Sequence, residues 1–526
     1  MGIAQFWKEL KRRKVVRVAI GYVVVAWVLV EVSSVVFPAL LFPEWSSRLV
    51  VAMALIGFPI ALYLAWALEV SPAGLRRDSA DTQSPAPPSR TGVAAGADPR
   101  RSIVVLPFAN MSDSAENEYF NDGVTEEILN LLARQPDLRV VSRTTSFTFK
   151  HTGADVRTVA GTLDIEMVLE GSVRRAGNRV RIIAQLIDGA TDAHLWSESF
   201  DREIEDIFAV QSEIARCIVD AMDLQTVSSA PGEAPTGNIE AYDYYLRGRQ
   251  YYHQVTDEGL KIARQLFAKA IEADPDFALA YAGLADTESL IAQWIDRSPG
   301  QLEAADRASR QALKMAPGLA EAHSSRGFAL SLKGDFRSAS QEFQHALELD
   351  PQNYNALYLF GRSRFAEGRL SEAAELWARA HATQPDEFQS MALRALALRH
   401  IDPDEAQRAT EISVAAIRMR LELNPDDLRA LSLGSGQLVG AGFPTEGVAM
   451  ARRALELAPN DVSVLYNATC CFALAGLGEE ALTTLDRRLQ RAAIYREWVE
   501  NDSDFDSVRE DPRFQALLER MPRIGD

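Results

Sequence analysis

Two successive copies of one pattern lie in residues 318–385, GLAEAHSSRGFALSLKGDFRSASQEFQHALELDPQNYNALYLFGRSRFAEGRLSEAAELWARAHATQP. In each copy a glycine, an alanine, an aromatic residue and a second alanine precede a proline by 24, 12, 8 and 5 residues. The copies are Gly327, Ala339, Phe343, Ala346, Pro351 and Gly361, Ala373, Trp377, Ala380, Pro385. Small residues let two helices approach closely, the aromatic ring fills the gap, and the proline ends the second helix. Each copy therefore predicts a pair of packed helices.

The proline position recurs through the second half of the chain. It is occupied by Pro275, Pro317, Pro351, Pro385, Pro425 and Pro459, at spacings of 42, 34, 34, 40 and 34 residues. A helix pair with a 34-residue period is typical of the tetratricopeptide repeat, which stacks into a solenoid because one unit cannot bury its apolar face alone. We predict a solenoid of about seven units over residues 239–493 and a C-terminal helical cap over residues 494–526.

The chain is acidic, and its charge is uneven. The net charge is −18 over 526 residues. Residues 1–101 carry 12 Lys/Arg against 7 Asp/Glu, whereas the remainder carries 43 against 66. An acidic surface repels phosphates, so we expect no nucleic-acid partner. Three cysteines are too few for a disulfide framework.

Two apolar runs precede the acidic part of the chain. The segments 18–37 and 48–68 each have about the 20 residues needed to cross a bilayer. They predict two transmembrane helices, preceded by a basic cytoplasmic N-terminus at 1–17 and followed by a flexible linker at 78–101.

The charges around these runs predict an orientation. Six Lys/Arg side chains precede the first run, and Arg76 and Arg77 follow the second. The positive-inside rule then predicts a two-pass protein of the bacterial inner membrane with both termini in the cytoplasm. The alternative, in which one run spans and the body lies outside, stays open because Glu31 weakens the first run.

Residues 102–222 mix strand and helix patterns. Helical spacing covers 117–134, and the alternating runs 167–174 and 179–187 are joined by a Gly-Asn turn typical of a β-hairpin. This order predicts a compact α/β domain. The predicted fold class is thus multidomain, with two transmembrane helices, a compact α/β domain and an all-α solenoid of tetratricopeptide repeats.

The α/β region resembles a known family. The runs SIVVLPFANMSDSAENEYFNDGVTEEILNLLARQPDLRVVSRTTSF and VLEGSVRRAGNRVRIIAQLIDGATDAHLWSESFDRE are similar to the amino-terminal module of TolB-type proteins. The resemblance implies a bacterial membrane protein in which this module precedes the repeats. In such relatives a class III nucleotide cyclase or a winged-helix domain stands at the amino terminus. Only residues 1–17 precede the first apolar run here, so we expect a sensing or scaffolding part with neither head.

The sequence contains none of the common catalytic motifs. It has no G-x-x-x-x-G-K-[ST], no H-E-x-x-H and no G-x-S-x-G, and its seven histidines do not have the spacing of metal ligands. We therefore predict no enzymatic activity, no cofactor and no metal site. Six acidic residues between Asp113 and Glu127 suit either a cation site or, with more support, a solvated helix start.

The strongest candidate for binding is the groove that the first helices of the repeats line. Its predicted residues are Glu321, Ser324, Phe328, Asn355, Tyr358, Arg362 and Phe365. Arg362, beside Asn355 and Tyr358, suits a peptide carboxylate or an acidic side chain.

Three functions are compatible with these features. The first is a membrane-anchored scaffold that recruits a protein or peptide partner through its repeats, with signalling as one such role. The second is a non-catalytic or degenerate signalling subunit related to membrane nucleotide cyclase systems. The third is an envelope-assembly protein whose body lies outside the inner membrane. A catalytic constellation would distinguish the second function, and topology separates the third from the first.

Overall fold

The computed structural model of the protein divides into two compact units, Met1–Asp98 and Pro99–Asp526. It describes residues 68–71, 74–77, 100–112, 117–135, 137–150, 152–222, 224 and 235–524. In the first unit these residues form an antiparallel hairpin of β1 (Leu68–Ser71) and β2 (Gly74–Arg77).

Within those ranges, no helix has both the length and the apolar character needed to cross a bilayer. This finding overturns the prediction of two transmembrane helices at 18–37 and 48–68, and with it the two-pass placement in the inner membrane with both termini cytoplasmic. Leu68, the last residue of the second segment, is paired in a β-strand instead of ending a helix. The other residues of both segments lie outside the described ones, as do the predicted N-terminus and nearly all of the predicted linker.

The second unit begins with a mixed β-sheet. Its strands are β3 (Arg101–Val105), β4 (Ala109–Asn110), β5 (Leu138–Val140), β6 (Met167–Ala176), β7 (Arg179–Asp188) and β8 (His194–Glu203). They follow the order β5-β3-β6-β7-β8, with β4 also paired to β6. The first three strands of this order are parallel and the last three antiparallel. The predicted Gly-Asn hairpin turn is confirmed, because Ala176 pairs with Arg179 and Gly177 has the positive φ, 60°, that favours glycine.

Four helices accompany this sheet. They are α1 (Glu118–Ala133), α2 (Arg143–Ser146), α3 (Val156–Leu163) and α4 (Ile207–Ala221). The core that contains α1 and α4 continues into Tyr242 and Tyr245, at the start of the helical region. A second core around α3 takes in Met419 and Leu423, which lie more than 200 residues beyond Glu203, the end of the last strand. The α/β domain therefore shares both cores with the helical region.

Seven helix pairs follow in the described part of the chain, and we number them repeats one to seven. They are α5 (Ile239–Gln254) with α6 (Asp257–Ala273), α7 (Ala278–Trp294) with α8 (Pro299–Met315), α9 (Ala320–Leu332) with α10 (Phe336–Leu349), α11 (Tyr354–Ala366) with α12 (Leu370–Thr383), α13 (Phe388–Leu398) with α14 (Pro403–Leu423), α15 (Leu428–Gly440) with α16 (Pro444–Leu457), and α17 (Val462–Leu474) with α18 (Gly478–Arg491). Two short helices, α19 (Arg496–Asn501) and α20 (Pro512–Glu519), come after them.

Close packing inside a repeat depends on glycine facing an aromatic ring. A Cβ atom at Gly327 would lie 2.9 Å from Phe343, and one at Gly361 would lie 2.5 Å from Nε1 of Trp377. Both rings are fully buried. The helices of a pair can therefore approach this closely only where the first helix carries no side chain.

The first helices form a layer with one interruption. They contact one another in series through repeats one to four and again through repeats five to seven. Between repeats four and five the principal contact instead joins α12 to α13. The interruption coincides with the longest helix of the solenoid, the 21-residue α14. The repeats thus form two blocks, one of repeats one to four and one of repeats five to seven.

We expect Gly361→Ala to lower the thermal midpoint of unfolding. The added methyl group meets a buried indole that has no room to move, and overpacking of this kind costs roughly 1–3 kcal/mol. This cost exceeds the gain of about 1 kcal/mol from replacing glycine with alanine in a helix. Far-UV circular dichroism during heating measures the change.

Gly161→Ala in α3 is the matched control, because no atom lies within 4 Å of its added Cβ. It should leave the midpoint unchanged or raise it. Equal effects of the two substitutions would contradict the packing role of Gly361.

Candidate functional site

The structure separates the predicted groove residues into two groups. Ser324, Phe328 and Phe365 are buried, with 5%, 3% and 0% of their surfaces exposed. Glu321, Tyr358 and Arg362 are half-buried, and Asn355 is exposed. We use the term inner face for the surface of the first helices on which the second group lies. Phe328 and Phe365 contribute to the core beneath it and are not available to a partner.

Arg362 lies among aromatic rings on the inner face. Its guanidinium carbon is 4.4 Å from the ring centre of Trp498, 5.5 Å from that of Trp294 and 5.9 Å from that of Tyr358. Its Nη1 donates a hydrogen bond to the Tyr358 hydroxyl at 3.3 Å. Its Nε is buried and has no hydrogen-bond partner among the described residues. A guanidinium oriented in this way by aromatic rings is suited to bind a carboxylate through its terminal nitrogens.

The chain's own C-terminal segment, residues 494–511, covers part of the inner face. Four of its side chains donate hydrogen bonds to carbonyl oxygens in the last turns of first helices. These are Tyr495 to Leu332 at 2.5 Å, Asn501 to Phe365 at 2.9 Å, Ser503 to Leu396 at 3.3 Å and Ser507 to Ala473 at 2.7 Å. Carbonyls in the last turn of a helix lack the usual amide partner from the next turn, and this segment adds a donor to each of the four. The carbonyls of Phe365 and Ala473 also accept from the backbone N–H groups of Gly368 and Gly476. It connects repeats three, four, five and seven, and thereby both blocks.

Packing and charge add to this docking. The ring centre of Trp498 lies 4.6 Å from that of Phe365, and the Tyr466 hydroxyl donates to buried Asp502 at 2.6 Å. Arg399 pairs with Asp504 at 2.5 Å. Sequence reasoning predicted only a cap over the last apolar face, and it missed these contacts because most of them join residues more than 100 positions apart. The concentration of Tyr495, Trp498 and Phe505 in the segment is the signal that could have indicated a buried role.

Part of the inner face remains accessible beside Arg362. It includes exposed Asn355 together with half-buried Tyr358, Gln389 and Arg429. Arg429 donates to Gln389 at 2.5 Å and to Glu387 at 3.1 Å. This patch carries two guanidinium groups and two amides in a protein whose net charge is −18. It therefore favours a partner with acceptor groups or negative charge.

The acidic cluster on α1 forms an interface with repeat one. Buried Glu126 pairs with Arg249 and with Arg143, the latter at 2.9 Å. Lys150 pairs with Asp122 at 2.5 Å and with Glu118 at 2.7 Å. The interpretation of these carboxylates as a solvated helix start is wrong, because the first repeat covers them. Asp113 and Glu116 lie outside the described residues.

Electrostatics fix the charge states at this interface. Burial alone would raise the pKa of Glu126, but Arg249 and Arg143 hold that pKa well below its usual range. Burial and nearby Arg143 lower the pKa of His253 to about 4, so His253 is neutral at pH 7. Glu126 is therefore an ionised carboxylate held by two guanidinium groups. A buried pair of this kind strongly disfavours separation, because separation leaves a charge without compensation.

The carboxyl group of Asp286, on the first helix of repeat two, should make the free energy of unfolding depend on pH. Burial raises the pKa of Asp286 to about 7, although a hydrogen bond from Ser325 opposes the rise. An unfolded aspartate titrates near pH 3.9, so the folded protein binds more protons between about pH 4 and 7 and loses stability as the pH rises through that window. Asp286→Asn should raise the free energy of unfolding at pH 8 by on the order of 1 kcal/mol after solvent screening, and by much less at pH 5. The thermal midpoint, measured at both pH values, should rise accordingly.

Asp276→Asn is the control for this pH dependence, because that carboxylate is exposed on the preceding loop. This substitution should change the thermal midpoint only slightly, and by the same amount at pH 5 and pH 8. An equal gain for Asp286→Asn at pH 5 and pH 8 would contradict the raised pKa.

Comparisons with known proteins give a family match for part of the repeats and a curated relative for part of the chain. Residues 330–397 match the tetratricopeptide repeat family. A 235-residue stretch is 40% identical to the putative adenylate cyclase 3 of Rhizobium meliloti (strain 1021), covering 44% of this chain and 40% of that protein. The chain thus spans about two fifths of the length of the curated relative it matches.

Solved structures of helical repeat proteins are also similar to the chain. Pseudomonas aeruginosa PilF is 18% identical, with 44% of this chain and 97% of PilF covered and a TM-score of 0.30. A human IFIT1 dimer is 12% identical, with 59% and 70% covered and a TM-score of 0.38. The repeat protein YrrB is 18% identical, with 38% and 95% covered and a TM-score of 0.24. Together with the family match over residues 330–397, the helix pairs and their glycine–aromatic packing show that the chain carries tetratricopeptide repeats.

Proposed function

We propose that the protein is a scaffold that recruits a polypeptide partner through the inner face of its repeats. The observation that carries the proposal is the environment of Arg362, whose half-buried side chain holds its guanidinium among the rings of Trp498, Trp294 and Tyr358. A carboxylate is the group that binds an oriented guanidinium most strongly. The partner is therefore a peptide segment with a free C-terminus or an acidic side chain.

The accessible patch supplies the remaining contacts. Asn355 and Gln389 offer amides that can bond an extended peptide backbone, and Tyr358 offers an aromatic surface at low cost in conformational entropy. Arg429 lies nearby with its guanidinium paired to Glu387 and bonded to Gln389, which orients that amide. Because the C-terminal segment already covers the ends of the first helices, the partner docks next to that segment and against Trp498.

The α/β domain has a supporting role in this proposal. It resembles the amino-terminal module of TolB-type proteins, and its two cores continue into repeats one and five. A module held at two separate repeats fixes their relative position. In this way the α/β domain keeps the curvature of the inner face constant, so that the partner meets a preformed surface.

A signalling component related to nucleotide cyclase proteins is the second candidate function. The observation that favours it is the 40% identity to a protein named as a putative adenylate cyclase. In this candidate the chain contributes recognition or regulation rather than chemistry, because its sequence lacks the common catalytic motifs.

Peptide selection tests the scaffold function. A random decapeptide library with free C-terminal carboxylates should yield binders, and Arg362→Gln should weaken them by at least tenfold, because a hydrogen bond to a charged group is worth about 1.5–3 kcal/mol. Asn355→Glu places a like charge at the exposed edge and should also weaken them, without disturbing the packing around Trp498. Fluorescence anisotropy measures the affinities.

Arg418→Gln is the matched control for this experiment. Arg418 also lies over an aromatic ring, 4.6 Å from the centre of Phe443, but on the second helix of repeat five. It should leave binding unchanged. Failure to select any peptide, or binding that neither Arg362→Gln nor Asn355→Glu affects, would reject the inner face as the site.

A direct assay tests the absence of cyclase chemistry. The purified chain, incubated with ATP and Mg²⁺ or Mn²⁺, should form no cyclic AMP above a heat-inactivated control. Liquid chromatography with mass detection measures the product. Formation of cyclic AMP that scales with protein concentration would make the chain an enzyme and overturn its non-catalytic role in both candidate functions.

A further inference from the structure

Three side chains that can bind a metal ion converge in repeat three, away from the site described above. His323 is on α9, and Glu342 and His345 are on α10, one turn apart on the same face. Each offers one ligand atom, and these atoms all lie within 4.8 Å of one another. Their spacing in the sequence shows no familiar motif, because the helix pairing alone brings them together.

The hydrogen bonds of His323 orient one of its nitrogens toward this group. Nε2 lies 2.9 Å from the carbonyl oxygen of Pro317, and Nδ1 lies 2.7 Å from Oε2 of Glu342. A neutral imidazole donates from one nitrogen only. If Nε2–H donates to the carbonyl, Nδ1 presents a lone pair to a carboxylate oxygen. Two such acceptors stay together only when a cation, either a proton or a metal ion, lies between them.

This arrangement is the one that metal-binding histidines usually have. The nitrogen that is not a ligand donates to a backbone carbonyl, which fixes the ring and its tautomer. The nearby guanidinium of Arg326 is bound to Asp306 at 2.5 Å and forms no ion pair with Glu342 among the described residues. His345 is exposed and can turn toward the same point.

We propose that His323, Glu342 and His345 form a Zn²⁺ site. Two imidazoles and one carboxylate form a common three-residue ligand set for zinc, with a fourth position left for water. Because its ligands come from both helices of repeat three, the ion joins α9 to α10. Zinc thereby stabilises the repeat that receives the hydrogen bond from Tyr495 of the C-terminal segment.

A second convergent group among the described residues, Cys470 with Asp502 and Asp504, does not compete for the ion. Burial raises the pKa of the Cys470 thiol well above its usual range, so the thiol keeps its proton. The two carboxylates are already bound by Tyr466 and Arg399, at 2.6 Å and 2.5 Å.

Calorimetric titration of the chelator-treated full chain with ZnCl₂ tests the proposal. We expect saturable binding with one ion per chain at this site, and a rise in thermal midpoint with zinc concentration, because the ion binds the folded state. His345→Ala and Glu342→Gln should each weaken binding by at least tenfold. Both side chains are accessible enough for the variants to fold.

Two controls complete the experiment. His194→Ala removes an exposed histidine from strand β8 and should leave zinc affinity unchanged. Substitution of Co²⁺ should give the visible absorption of a four-coordinate site, and His345→Ala should abolish it. Absence of saturable binding, or zinc binding that His345→Ala and Glu342→Gln leave intact, would overturn the site and leave His323 and Glu342 as an ordinary ion pair.

Discussion

The hydrogen bonds from the C-terminal segment to the ends of the first helices hold the solenoid in its shape. Tyr495, Asn501, Ser503 and Ser507 reach repeats three, four, five and seven in order. Between repeats four and five the first helices contact each other less than elsewhere, although Ser390 still donates to the Tyr354 hydroxyl at 3.0 Å. The segment crosses that interruption between Asn501 and Ser503, where it adds donors to carbonyls at the helix ends. The two blocks of repeats are thus joined by these four side-chain hydrogen bonds in addition to their own packing.

The α/β domain joins the repeats by a different kind of contact. Its interface with repeat one contains the buried Glu126, held by Arg249 and Arg143, and its other core contacts the second helix of repeat five. The net free energy of a buried ion pair is small, because desolvation offsets attraction, but breaking one is costly. The domain therefore has one well-defined position on the repeats.

The sequence predicts what depends on neighbouring residues and fails where distant segments meet. Gly361 and Trp377 have fixed offsets within one repeat, so their contact follows from spacing. Phe365 also occupies a groove position by spacing, yet it is buried, because Trp498 from the C-terminal segment covers it. No periodicity encodes that contact. The acidic residues of α1 were misinterpreted for the same reason, since their partner Arg249 lies more than 100 residues away.

In the proposed function, Arg362 would link partner binding to the C-terminal segment. Its guanidinium carbon lies 4.4 Å from the ring centre of Trp498, so a carboxylate that binds this guanidinium would also hold it against Trp498. The C-terminal segment is tethered directly after α18, and such a short tether gives a local concentration in the millimolar range. A partner that displaced the C-terminal segment would have to bind strongly enough to overcome this local concentration. A partner that binds beside it instead stabilises it, and by thermodynamic reciprocity the docked segment strengthens the partner. On the proposed function, partner recruitment and docking of the C-terminal segment would therefore be cooperative.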